Sequence, residues 1–145
     1  MKHLNNIILL LTIIVLSLFT SNCTTNDGDI GPLFGKWKLV EIIDNNEVVG
    51  QYTGNIYWSF QNSTLGFTRV NNHNAYDESY CNWTTNDNTL IINFVDSIYR
   101  PFSEMGLTEP VCELNINKLD GSEMILSLIS SPTTGNPRIY KFKKW

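Results

Sequence analysis

The chain has 145 residues, enough for one domain with its own core and too few for two of ordinary size. Its 14 acidic residues outnumber 10 basic ones for a net charge of −4, which argues against nucleic acid as a partner because no basic surplus exists to neutralise phosphates. A content of 42% hydrophobic and 12% aromatic residues excludes disorder over most of the length, and 2 histidines with 3 cysteines leave few routes to catalysis.

The first element is an address. Lys2 charges a short leading segment, and an apolar run follows from Ile7 to Phe19, broken only by Thr12 and Ser17. A permanent bilayer span needs about 20 apolar residues, so this run has the length of a secretory signal. Residues 1–22 are read as a signal peptide. Phe19-Thr20-Ser21-Asn22-Cys23 resembles the lipobox of bacterial lipoproteins, with Asn22 where that motif favours Gly or Ala. The resemblance implies a lipid on Cys23; otherwise Cys23 is an ordinary thiol beside a cleavage site. Processing would leave 9 basic and 14 acidic residues, a net charge of −5, so membrane attachment is expected through acyl chains alone. Residues 23–33 are read as the lipidated cysteine and a tether, of which Thr24-Thr25-Asn26-Asp27-Gly28-Asp29 is polar and short, as a tether must be. Within them Asp27 and Asp29 resemble a weak form of the acidic export signal of Bacteroidota surface lipoproteins. The expected location is the outer membrane, on its periplasmic or outer face.

From residue 34 to 145 short runs rich in Val, Ile, Tyr, Phe and Trp alternate with Asn, Asp, Gly and Ser clusters, the pattern of an all-β domain. Eight strands are predicted, at about 34–43, 55–60, 64–70, 77–84, 89–95, 111–118, 123–129 and 137–144. Eight is the number that closes a small antiparallel up-and-down barrel. Gln61-Asn62-Ser63, Thr85-Asn86-Asp87-Asn88 and Leu119-Asp120-Gly121-Ser122 read as hairpin connections, Gly121 being free to take positive φ. One helical turn is expected, within Pro101 to Gly106. Alternation directs Trp37, Leu39, Ile56, Trp58, Phe60, Leu65 and Phe67 to one face, and with them Cys81, Trp83, Leu90, Ile92, Phe94, Cys112, Leu114, Ile116, Met124, Leu126, Leu128, Tyr140 and Phe142. That face is the proposed lumen. Three tryptophans pointing into it would fill much of its space.

Gly35-Lys36-Trp37 opens the first strand and resembles the Gly-x-Trp signature of the lipocalins. The resemblance implies an eight-stranded barrel that binds a small apolar molecule, with Trp37 plugging the closed end and Gly35 permitting the tight turn beneath it. Lipocalins also stack a late arginine on that tryptophan. Arg138 begins the last strand, far from Trp37 in an antiparallel arrangement, so Lys143 or Lys144 is better placed to supply the cation. The late Thr-Asp-Tyr-like motif and the helix after the barrel are both missing. The chain therefore looks closer to the lipocalin-like lipoprotein domains of Bacteroidota than to the transport lipocalins.

Candidate chemistry is sparse. His73 lies in the polar connection Asn71-Asn72-His73-Asn74 with no nucleophile motif beside it, and no cysteine or histidine spacing fits a metal site. Asp77-Glu78 is the only adjacent acidic pair, and neighbours on a strand face opposite ways, which gives no support to paired-carboxylate chemistry. Neither catalysis nor a cofactor is expected. Cys81 and Cys112 are an even pair in an exported chain, which favours a disulfide. Against it, a strand between theirs would hold them roughly 9.6 Å apart, beyond the Cα limit of about 7 Å, unless the long connection carries Cys112 elsewhere. Asp96-Ser97-Ile98 resembles a Bacteroidota O-glycosylation acceptor. Arg69 either enters the lumen to meet a ligand carboxylate or lies at the rim with its guanidinium in water.

The expected function is binding of a small apolar or amphipathic ligand at the end opposite Trp37, by Trp58, Phe60, Phe67, Arg69, Trp83 and Tyr140. The rival is a cavity-free barrel serving as an interaction or accessory subunit to an envelope protein.

Overall fold

The computed structural model describes residues 31–71, 76–94, 101–129 and 136–145. Nine strands are present among them: β1 (Gly35–Asp44), β2 (Glu47–Gln51), β3 (Ile56–Gln61), β4 (Thr64–Val70), β5 (Tyr76–Asn86), β6 (Thr89–Asn93), β7 (Val111–Leu119), β8 (Glu123–Leu128) and β9 (Ile139–Lys144). Each strand from β3 to β9 pairs antiparallel with its sequence neighbour, and β1 pairs with both β3 and β9. Eight strands thus close an up-and-down barrel, as predicted. Gly31–Trp145 is a compact unit of its own.

The sequence reading missed β2. It is a hairpin arm folded back on the second half of β1, Glu41–Asp44, while β3 holds the first half, Gly35–Lys38. Asn45 and Asn46 make its turn at φ 50° and 65°. Asparagine tolerates that region, and a two-residue turn with both φ positive matches the twist of a hairpin. The Asn-Asn pair between Ile42-Ile43 and Val48-Val49 was the available signal.

Period-two alternation assigns the lumen correctly, with one correction in β1. Leu39 stands opposite Phe142 and Glu41 opposite Lys141, so Val40 is an extra residue and the alternation slips. That bulge turns Ile42 inward, fully buried. The β7–β8 turn also differs from expectation, since Gly121 does not use a positive φ. Instead the Asp120 carboxylate accepts hydrogen bonds from the backbone N–H groups of Ser122 and Glu123 and from the Ser122 hydroxyl, each at 2.8 Å. Those three bonds hold the Asp120 carboxyl well below the usual carboxylate range.

Candidate functional site

At the end where β1 begins, Trp37 is wholly buried and its indole N–H donates to the Leu33 carbonyl at 2.7 Å. The Lys144 ammonium sits 4.2 Å from the centre of the Trp37 ring and donates to the Phe34 carbonyl. Burial pulls the pKa of that ammonium down, and the ring face offers a partial replacement for lost water. Gly35 has φ 109°, and a Cβ there would stand 3.0 Å from the Lys144 ammonium. The glycine is required both by its backbone and by the lysine. Lys144, not Arg138, is the cation on the tryptophan.

The middle of the lumen is aromatic. Trp58 lies 4.9 Å from both Phe67 and Phe142 and 5.7 Å from Tyr140, ring centre to ring centre, with Phe60 at 6.5 Å. All five rings are at least 98% buried. Trp83, only half-buried, meets Phe60 edge-on at 5.1 Å. Ser79 stands beside Phe67 on β5, as Trp58 does on β3, so the three form one inward row. Among the described residues, the buried Trp58 indole N–H and Ser79 hydroxyl have no hydrogen-bond partner, and neither does the Trp83 indole N–H. An unpaired buried polar group costs about 1–3 kcal/mol, so such atoms call for an explanation.

The opposite end is covered by the connection between β6 and β7, where Ser103–Met105 form a 3₁₀ turn ended by Gly106 at φ 67°. Met105 and Leu107 join the lumenal core. The Tyr140 hydroxyl, deep in the barrel, donates to the Met105 carbonyl, and burial raises its pKa above the ordinary tyrosine value. Arg138 reaches the Asp44 carboxylate at 2.9 Å and the Glu104 carbonyl at 3.2 Å, its guanidinium packed where a side chain on Gly106 would stand. Arg69 lies at this rim. Its guanidinium pairs with Glu104 and covers the Phe102 ring at 4.0 Å, so it fastens the connection instead of entering the lumen.

A family model described as a lipocalin-like domain matches residues 16–134. The chain belongs to the lipocalin-like domain family. A lipocalin-like protein from Bacteroides uniformis shares the fold with a TM-score of 0.63 at 17% identity, covering 79% of this chain and 100% of that one. An uncharacterized protein from Bacteroides eggerthii is similar at TM-score 0.59 and 18% identity, covering 78% and 99%. No curated protein matches significantly.

Within this lipocalin-like barrel the predicted ligand residues separate. Trp58, Phe60, Phe67 and Tyr140 form one cluster, Trp83 borders it toward the Trp37 end, and Arg69 is engaged at the rim. Cys81 and Cys112 stand as thiols, with β6 between their strands; Cys81 donates to the Leu65 carbonyl at 3.7 Å and Cys112 to that of Glu109 at 3.5 Å. The bridge that the sequence left open does not form, and β6 between the two strands is the separation that argued against it. Burial, reinforced by Cys112 nearby, pushes the Cys81 thiol up to about 12. Glu41 is paired with Lys141 at 2.8 Å. Cys23, His73 and Asp96-Ser97-Ile98 lie outside the described residues. Sequence reasoning missed Ser79, Glu104, Met105 and Leu107. Ser79 was recoverable from its parity with Cys81, whereas no periodicity points Met105 and Leu107 inward or sets Glu104 at the rim.

Proposed function

We propose that this domain binds, without catalysis, a small apolar or amphipathic molecule in the half of the barrel beneath the connection at 101–110. The observation that carries the reading is the pair of unpartnered polar groups in one inward row, Trp58 Nε1 and Ser79 Oγ. A ligand with an oxygen acceptor on an apolar body would satisfy the indole N–H and the hydroxyl while its body replaced Met105 and Leu107 against the rings. The connection then acts as a self-plug, held when the ligand is absent by the Arg69–Glu104 ion pair, by Arg138 on the Glu104 carbonyl and by Tyr140 on the Met105 carbonyl.

Native mass spectra of Gly31–Trp145, before and after extraction with organic solvent, test this. The expected result is a co-purifying mass that leaves on extraction, followed by uptake of a long-chain fatty acid with quenching of tryptophan emission. Trp58→Phe should weaken fatty-acid binding about five- to tenfold through loss of the indole N–H, while binding of a hydrocarbon dye is not weakened, since the smaller ring only widens the apolar space. A barrel that takes up neither probe sinks the reading.

A second reading is supported by how completely Met105 and Leu107 are buried: a filled barrel serving as an accessory subunit to an envelope protein. For either role the sequence supports export by residues 1–22, acylation of Cys23 and residence at the outer membrane. Labelled palmitate should enter the wild-type chain and not Cys23→Ala.

A further inference from the structure

On the outside of the barrel, away from the lumen, β3, β4 and β5 build a second feature. Strand register sets Ser59, Gly66 and Tyr80 side by side in one outward row, and Tyr57, Thr68 and Glu78 in the next. The middle strand is low because Gly66 has no side chain. An open groove of about 400 Å³ results, walled on β5 by Tyr76, Glu78 and Tyr80 and on the far side by Lys36 and Gln61.

The walls are set in place before any ligand arrives. The Tyr80 hydroxyl donates to the Glu78 carboxylate at 2.7 Å, and its ring leans over Gly66, where a Cβ would lie 3.0 Å from the ring edge. Lys36 holds its ammonium 4.3 Å from the centre of the Tyr57 ring. Yet Tyr76 and Tyr80 remain 61% and 52% exposed, a large aromatic area for a sheet surface that covers nothing.

We propose that this groove is a saccharide-binding site. A sugar ring has an apolar C–H face and a rim of hydroxyls that both donate and accept. The groove offers the complement: two exposed tyrosine rings for the faces, the Glu78 carboxylate and Gln61 carbonyl as acceptors, and the Lys36 ammonium with the Ser59 and Thr68 hydroxyls as donors. No Leu, Ile or Val lines it, which disfavours a lipid tail. One cation, Lys36, faces one anion, Glu78, which disfavours a phosphate. Its volume falls at the low end of the about 300–1,000 Å³ typical of small-molecule sites.

The test is titration of the full chain, held in a detergent without a sugar headgroup, with cellotriose, xylotriose, chitotriose and maltotriose by calorimetry. At least one trisaccharide is expected to bind, and Tyr80→Ala to weaken it at least tenfold. Gly66→Val should block the groove, since its backbone conformation is open to any residue and valine favours strands. Should Gly66→Val fail to fold, Tyr76→Ala, at an exposed position, is expected to lower affinity in its place. All three variants should keep the fatty-acid binding proposed for the lumen. Absence of binding by all four sugars, or binding that survives Tyr80→Ala, overturns the proposal, and so does equal, Tyr80-dependent binding of an unstructured peptide.

Discussion

At one end of the barrel Trp37 is fixed by a carbonyl four residues before it and by the last strand beside it. At the other, Arg138 and Tyr140 are fixed by a connection 34 and 35 residues earlier in the chain. The first closure is made of strand residues in register and belongs to the barrel itself. The second is a separate segment laid across the mouth, tied by one ion pair, one arginine hydrogen bond, one cation–ring contact and a tyrosine hydroxyl. A plug made of a loop can be withdrawn while the ladder stays intact, and a plug made of β1 cannot.

The largest test of this contrast is Trp37→Ala. Removing a fully buried tryptophan should cost about 3–5 kcal/mol, lowering the urea midpoint for every probe at once, because both closing strands lean on it. Met105→Ala should cost less, about 2 kcal/mol, since the connection can settle into the space. It should also raise the affinity for an apolar dye, where Trp37→Ala lowers it. If both variants respond alike, the two ends are equivalent and the plug reading fails.

Gly35→Ala is smaller again, at about 1–2 kcal/mol for alanine at φ 109°. Its signature is the release of Lys144 from the Trp37 ring, seen as a red shift in tryptophan emission. Cys81 offers a chemical counterpart. With its thiol pushed up to about 12 it should resist a thiol reagent at pH 8 until the barrel unfolds. A thiol whose folded pKa is raised stabilises fully below its unfolded value of about 8.5, and that contribution fades as pH climbs from there toward 12. Rapid labelling of the native protein would contradict this.

The difference between the ends also explains what could be read beforehand. The lumenal face was legible from Trp37 to Phe142 because each strand is short, one side packs, and alternate residues must share that side. The cation on Trp37 was legible only as Lys143 or Lys144: the lipocalin resemblance implied it, and antiparallel geometry put it at the end of the last strand. The bulge at Val40 was not, since an extra residue in one strand is set by its partner's twist and leaves no mark in composition. Nor were Glu104, Met105 and Leu107: a connection has no period, and which of its side chains enter the barrel depends on Arg69 and Arg138, 35 residues before and 34 residues after Glu104 in the chain. The candidate site divides the same way, its aromatic floor visible in the strands and its cover hidden in the loop.

The smallest expected effect concerns the Trp37 end, where acid should reach the β7–β8 turn. Asp120 is exposed, yet its carboxyl is depressed by the Ser122 and Glu123 backbone N–H groups and the Ser122 hydroxyl. Its unfolded pKa is about 3.9. Because the folded value is lower, the stabilisation is complete above about pH 4 and is lost as pH falls toward the folded pKa. Asp120→Asn keeps one acceptor oxygen but removes the charge and its titration, so the thermal midpoint of this variant should lie slightly below that of wild type at pH 7 and fall less steeply below pH 4, the two converging in acid. Equal slopes on the acid side would mean that the charge on Asp120 adds nothing to the hold of the β7–β8 ladder on this turn.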